Sequence, residues 1–150
     1  MTAAPVVLVV DASVAVKLFL PEPLAAEAAA LFGLLADPAT AFHVPDLFYV
    51  ECANIFWKQV RRGNTTPAQV IADLNRLKVW RLTPTSAFDL IADALPIALN
   101  HGVTAYDASY VALAARLGVP LVTADQKLVQ RLAATPFAPV WLGAWTPPGP

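Results

Sequence analysis

The chain has a single cysteine, Cys52, so it can form no internal disulfide. A reducing, cytoplasmic setting is the expectation. Its two histidines, His43 and His101, stand isolated and read as structural. With no His or Cys cluster, a zinc site built on nitrogen and sulfur is not expected. Charge is also sparse: 14% of residues are charged, with 10 basic against 11 acidic side chains and a net charge of −1. That excludes the strongly basic footprint of a protein that holds nucleic acid by charge alone. No stretch reaches the roughly 18 uninterrupted apolar residues needed to cross a bilayer. The opening MTAAPVVLVVD lacks a basic region, and Asp11 cuts its apolar run short. Neither a secretion signal nor a membrane contact is therefore expected. No internal repeat and no linker divides the chain.

What is present is apolar: 57% of the 150 residues are hydrophobic, many of them alanine. The length fits one domain with its own core, read here as residues 1–145, followed by a Pro/Gly-rich tail, TPPGP, at 146–150. An apolar surplus without a membrane span points to surface buried against a partner.

The β-branched run Val6–Val10 predicts a buried strand. Leu24, Ala28, Leu31, Phe32 and Leu35 recur at helical spacing after Pro21 and Pro23. FHVP is a short extended piece, and Asp46 to Arg62 reads as a helix ending before Gly63. Thr66, Pro67 and Gln69 form a helix start with a capping box. Val79 to Leu82 (VWRL) predicts a strand. A helix follows from Ser86 to His101, with Pro96 expected to kink or split it. Tyr106 to Leu117 is helical up to Gly118. VPLVTAD is a buried strand, Gln126 to Ala133 a short helix, and PVWLG a last strand. Continuously apolar strands alternating with helices predict an α/β fold with a mainly parallel sheet covered on both faces.

The acids fall at telling places. Asp11 ends the first strand and Asp125 ends LVTAD. Parallel neighbours would put both at one sheet edge, where open α/β sheets bind ligands. Glu51 and Asn54 stand three residues apart on one helix face. Asp107 sits near a helix start. Each has an ordinary explanation: Asp11 and Asp125 as helix caps, Asp107 as the partner of Thr104 in a capping box, Glu51 as a solvated position. Glu51 fits poorly, because Val50, Cys52, Ala53, Ile55 and Phe56 leave little polar face around it.

Convergence would change the chemistry. Two carboxylates about 4 Å apart repel by roughly 4 kcal/mol at an effective dielectric near 20. Four such groups take up protons or bind cations, and oxygen-only ligands favour Mg²⁺ or Mn²⁺. Carboxylate-held divalent ions serve phosphodiester hydrolysis. Of the basic groups, Lys58, Arg61 and Arg62 continue the helix that carries Glu51 and are candidates for guiding phosphates. Their ordinary reading is a basic helix end favoured by the macrodipole.

VVDASV, ECAN, YDASYVALA and LVTADQKL, in this order from about Val6 to Leu132, resemble a PIN domain, and more narrowly the VapC-type toxins of toxin–antitoxin pairs. The resemblance implies a three-layer fold and a metal-dependent endoribonuclease. It places the acidic positions on Asp11, Glu51, Asp107 and Asp125, with Ser13, Asn54 and Thr123 beside them. It also implies one or two Mg²⁺ or Mn²⁺ ions, an RNA substrate, a homodimer and a cognate antitoxin. Two other readings stand beside it. One is a phosphotransferase with Asp11 as nucleophile, although Ser13 occupies the place of its usual second Asp. The other is a non-catalytic interaction module whose acids are only caps.

Overall fold

Val7–Val10 forms strand β1 because three of its four residues bury their side chains and the β-branched valines suit an extended backbone. The computed structural model describes residues 4–149, so residues 1–3 of the expected domain and residue 150 of the expected tail lie outside the described residues. Four more strands follow: β2 Ala41–Pro45, β3 Leu82–Thr85, β4 Leu121–Thr123 and β5 Val140–Trp141. Helices α1 Ala12–Ala15 and α2 Ala25–Gly33 precede β2, and α3 Leu47–Arg61 and α4 Pro67–Leu77 precede β3. Helices α5 Ala87–His101 and α6 Ala105–Leu117 precede β4, and α7 Gln126–Leu132 precedes β5.

The sheet is parallel throughout, in the order β3-β2-β1-β4-β5. From β1 the chain moves outward through β2 to β3, then returns across the sheet to β4 on the other side of β1. Right-handed crossovers therefore place α1–α4 on one face and α5–α7 on the other, a three-layer arrangement. The order reverses between β1 and β4, and there the carboxyl ends of two neighbouring strands open a crevice. Phe32, Phe42, Phe48, Phe56 and Tyr110 fill the core beside Leu8 and Leu113. Each apolar side chain of this size contributes about 1.5–3 kcal/mol through burial.

Local signals were realised unevenly. The hydroxyl of Thr66 accepts from Gln69 N at 3.2 Å, but the Gln69 amide turns to Asp73 at 2.9 Å, so only half of the capping box forms. The expected strand at Val79–Leu82 is displaced to Leu82–Thr85. Val79 and Trp80 still donate backwards to Arg76 and Leu77, so this apolar pair is the run-off of α4. Trp80 then packs edge-on against Phe32. The true strand, LTPT, carries Pro84, tolerated because β3 is at the sheet edge.

Pro96 neither splits nor ends α5, which is helical from Ala87 to His101. Pro96 and Ala92, whose carbonyl loses its helical donor, both lie on the exposed face, where water replaces the missing N–H. The buried face of α5, through Leu90, Ala94 and Ile97, is unaffected. Pro96→Ala restores that bond, and its unfolding free energy in urea is expected to exceed wild type by about 1–2 kcal/mol.

Candidate metal centre

Asp11 leaves β1 at the crevice. Its N–H still bonds to Val122 O at 3.0 Å, which fixes its backbone to β4. Its side chain makes no cap bond to α1, contrary to the capping explanation. Instead Oδ2 accepts two hydroxyls, from Ser13 at 2.7 Å and Thr123 at 2.8 Å. The two hydroxyls lie 3.4 Å apart. With both protons committed to Asp11, each oxygen serves as an acceptor: Ser13 Oγ takes Ala124 N at 3.1 Å and Thr123 Oγ1 takes Asp125 N at 3.1 Å. This network locks the turn after β1 onto the turn after β4. Asp11 itself is buried, and burial raises its proton affinity more than Ser13 and Thr123 lower it.

Asp125 does cap a helix, its Oδ1 accepting from Lys127 N at 3.0 Å and Leu128 N at 3.2 Å. Asp107 stands in the first turn of α6, its N–H held by Thr104 Oγ1 at 3.1 Å. Burial, then the Asp11 charge, pushes the Asp107 carboxyl up to about 6, against a hydrogen bond from Thr104, with Asp125 adding to the rise. Glu51 projects from α3, half-buried rather than solvated, and its Oε1 has no hydrogen-bond partner. Burial pushes Glu51 up to about 7, opposed by Tyr110, with Asp11 and Asp107 adding repulsion.

The four acids are thus mutually felt: Asp11 senses Asp125, Glu51 senses Asp11 and Asp107, and Asp107 senses Asp11 and Asp125. Among the described residues, no three His, Cys, Asp or Glu side chains stand close enough together to hold a metal ion as they are placed. Two are anchored, Asp11 by hydroxyls and Asp125 by its cap. Repulsion keeps uncompensated carboxylates apart. The donor chemistry nevertheless fits a hard cation: all oxygen, with Asp11 buried, the other three acids half-buried and one carboxylate oxygen orphaned. A cavity of about 590 Å³ between Phe32, Leu35 and Trp80 is apolar and involves none of the four acids. The acid centre is an open edge.

The supporting residues divide. Ser13 and Thr123 hold Asp11, whereas Asn54 is exposed and makes no hydrogen bond among the described residues. Lys58 and Arg62 follow Glu51 by two and three helical turns and share its side of α3. Arg61 turns away, its guanidinium 5.4 Å from the centre of the Trp57 ring. Sequence reasoning gave no role to Tyr110, because a tyrosine within an apolar helix reads as core.

A parallel sheet with four carboxylates within electrostatic reach of their neighbours around its switch point defines an acidic-site α/β domain. Residues 8–134 match the PIN domain family, and the chain belongs to that family. PIN-domain ribonucleases generally use divalent metal ions. The chain is 37% identical over 131 residues to Ribonuclease VapC3 of Pyrobaculum aerophilum, covering 85% of this chain and 95% of that one. Exonuclease VapC9 of the same organism is 31% identical over 86 residues, covering 54% and 59%. A crystal structure of a Pyrobaculum aerophilum protein superposes with a TM-score of 0.70 at 24% identity, covering 94% of this chain and 87% of that one. A toxin–antitoxin complex from Klebsiella pneumoniae gives 0.53 at 15% identity, covering 87% and 93%. At these identities the two structures bear on the fold alone.

The raised carboxyls make stability depend on pH. Between its ordinary 4.5 and about 7, Glu51 is protonated in the folded state and ionised in the unfolded state. Asp107 behaves alike between 3.8 and about 6. The folded state holds more protons in this window, so stability present at low pH is lost as pH rises through the folded values. The melting temperature of Glu51→Gln relative to wild type, both metal-free, is expected to climb from pH 5 to pH 8. A difference that stays constant across this range would show that neither burial nor its neighbours raise the proton affinity of Glu51.

Proposed function

We propose that the chain is the toxin of a toxin–antitoxin pair, an endoribonuclease that hydrolyses RNA phosphodiester bonds with Mg²⁺ or Mn²⁺. The observation that carries this reading is the gathering of four carboxylates at an open sheet edge. Burial and mutual repulsion push two of them, Glu51 and Asp107, up to about 7 and about 6. Asp11, Glu51, Asp107 and Asp125 would hold one or two cations. A cation there supplies positive charge to the phosphodiester and makes water a stronger nucleophile near neutral pH.

The residues divide the work. Ser13 and Thr123 orient Asp11 through one oxygen and leave its other oxygen free of side-chain donors. The cap bonds of Asp125 fix one of its oxygens and so set the direction of the other. Glu51 reaches in from α3. Asn54, exposed one turn beyond it, is placed to meet the sugar–phosphate chain, and Lys58 and Arg62 extend the same side as phosphate contacts. Two divalent ions would move the formal charge from −1 to about +3. An edge without an enclosing pocket suits a polymer, and this favours RNA over a small substrate.

The relatives named VapC support a cognate antitoxin as protein partner. A homodimer is supported by α5, whose Phe88, Ile91, Leu95 and Leu99 form an exposed apolar stripe at helical spacing. No helix among the described residues is long and apolar enough to cross a membrane. We place the protein in the cytoplasm, where its substrate is. The phosphotransferase reading is weaker because Ser13 stands where a second Asp would serve, and the cap-only reading leaves Asp11 without a cap bond.

The decisive experiment incubates antitoxin-free protein with total RNA, with and without Mg²⁺ or Mn²⁺, and maps the cut ends. Internal, metal-dependent cuts are expected; trimming from ends alone would make the activity exonucleolytic. Asp125→Asn keeps the cap, since an amide oxygen accepts the same two N–H groups. It should melt cooperatively while cleavage falls by about 100-fold or more. Folded Asp125→Asn that cuts at the wild-type rate ends the ligand assignment. Replacing Lys58 and Arg62 with Gln should weaken RNA binding and reduce the slope of log affinity against log salt by about 1–2. An unchanged slope puts the phosphate path elsewhere.

A further inference from the structure

Within the acid centre two buried polar atoms lack partners: Glu51 Oε1 on α3 and Tyr110 Oη on α6. Buried polar atoms are nearly always hydrogen-bonded, so each orphan requires a reason. Here one orphan is a donor and the other an acceptor, and the two are neighbours. Each shifts the other's proton affinity, Glu51 downward and Tyr110 upward, although the pair falls short of hydrogen-bond geometry. Tyr110 is 1% exposed and lies one helical turn after Asp107, so it sits beneath the crevice. Its neighbours on α6 (Ala108, Val111, Ala112, Leu113 and Ala114) are buried and apolar. A phenylalanine would serve that packing as well, so the hydroxyl is the part of Tyr110 that packing does not explain.

We propose that Tyr110 is a positioning residue: its hydroxyl donates to one oxygen of Glu51 and turns the other toward Asp11 and Asp107. The inference rests on the metal-site reading. Asp11 has Ser13 and Thr123 to fix it, and Asp125 has two backbone donors. Glu51 has the longest side chain of the four, and Tyr110 is the donor beside it. With a divalent cation held by these acids, Glu51 would be a ligand through one oxygen, and the Tyr110 hydroxyl would be the donor for the other. Such outer hydrogen bonds set the orientation of the ligands they touch.

The test is Mn²⁺ affinity, measured calorimetrically at pH 8 on metal-free wild type, Tyr110→Phe, Glu51→Gln and the double variant. Tyr110→Phe is expected to melt within a few degrees of wild type without metal, since it removes an orphaned hydroxyl. Its Mn²⁺ Kd should rise about tenfold or more. In the Glu51→Gln background the same change should have no further effect, because Tyr110 acts through Glu51. An unchanged Kd in Tyr110→Phe, or an equal loss in both backgrounds, overturns the inference while leaving the metal site standing. Wild type that binds no Mn²⁺ overturns the metal reading and this inference with it. If Tyr110→Phe fails to fold, wild type labelled at tyrosine Cζ decides. One of its three tyrosine signals should move on addition of Mg²⁺ and stay fixed in Glu51→Gln. Signals indifferent to Mg²⁺ overturn the proposal.

Discussion

The burial of carboxylates near one sheet edge, reinforced by their mutual repulsion, is the constraint around which this molecule is arranged. A carboxylate in such a place is costly, and the fold distributes that cost. Asp11 is the most deeply buried of the four, and two hydroxyl donors offset part of its desolvation. Asp125 is tied into a helix start, so the bond that organises α7 also orients the acid. Glu51 and Asp107 arrive from helices on opposite faces of the sheet and carry the remaining strain as raised proton affinity. The parallel architecture makes this possible, since it points the carboxyl ends of β1 and β4 the same way and parts their helices above the gap.

Structural and chemical roles therefore overlap residue by residue. Thr123 is the clearest case: it ends β4, supports Asp11 with its proton and receives Asp125 N on its lone pairs. Ser13 does the same across the gap, with Ala124 N as its donor. Reading such residues as either scaffold or chemistry misses that one hydrogen-bond network performs both.

The sequence was most informative where burial was complete. β1 and β4 lie in the interior of the sheet, so their runs are mostly apolar, and an acid at or just beyond the end of each stands out. β3 was misplaced because an edge strand does not have to be apolar: LTPT reads as a loop, and the apolar VW before it reads as a strand. Pro96 read as a break because the sequence does not say which face of α5 meets water. Capping stayed open as an explanation of Asp11 because its local context is that of a cap, and its partner Thr123 is 112 residues away. Tyr110 was illegible for the opposite reason. Nothing marks a hydroxyl within an apolar helix until the atoms beside it are known to be unpartnered.

The span of the Asp11–Thr123 bond has a consequence for synthesis. While the first hundred residues leave the ribosome, β1 has β2 beside it but nothing on its other side, because β4 has not been made. Ser13 is without its backbone donor, Asp11 has lost one of its two hydroxyls, and Asp125 does not exist. A chain that stops short of β4 therefore carries only scattered acids. The centre closes only when β4 and the turn that carries Asp125 have been made and can pair with β1.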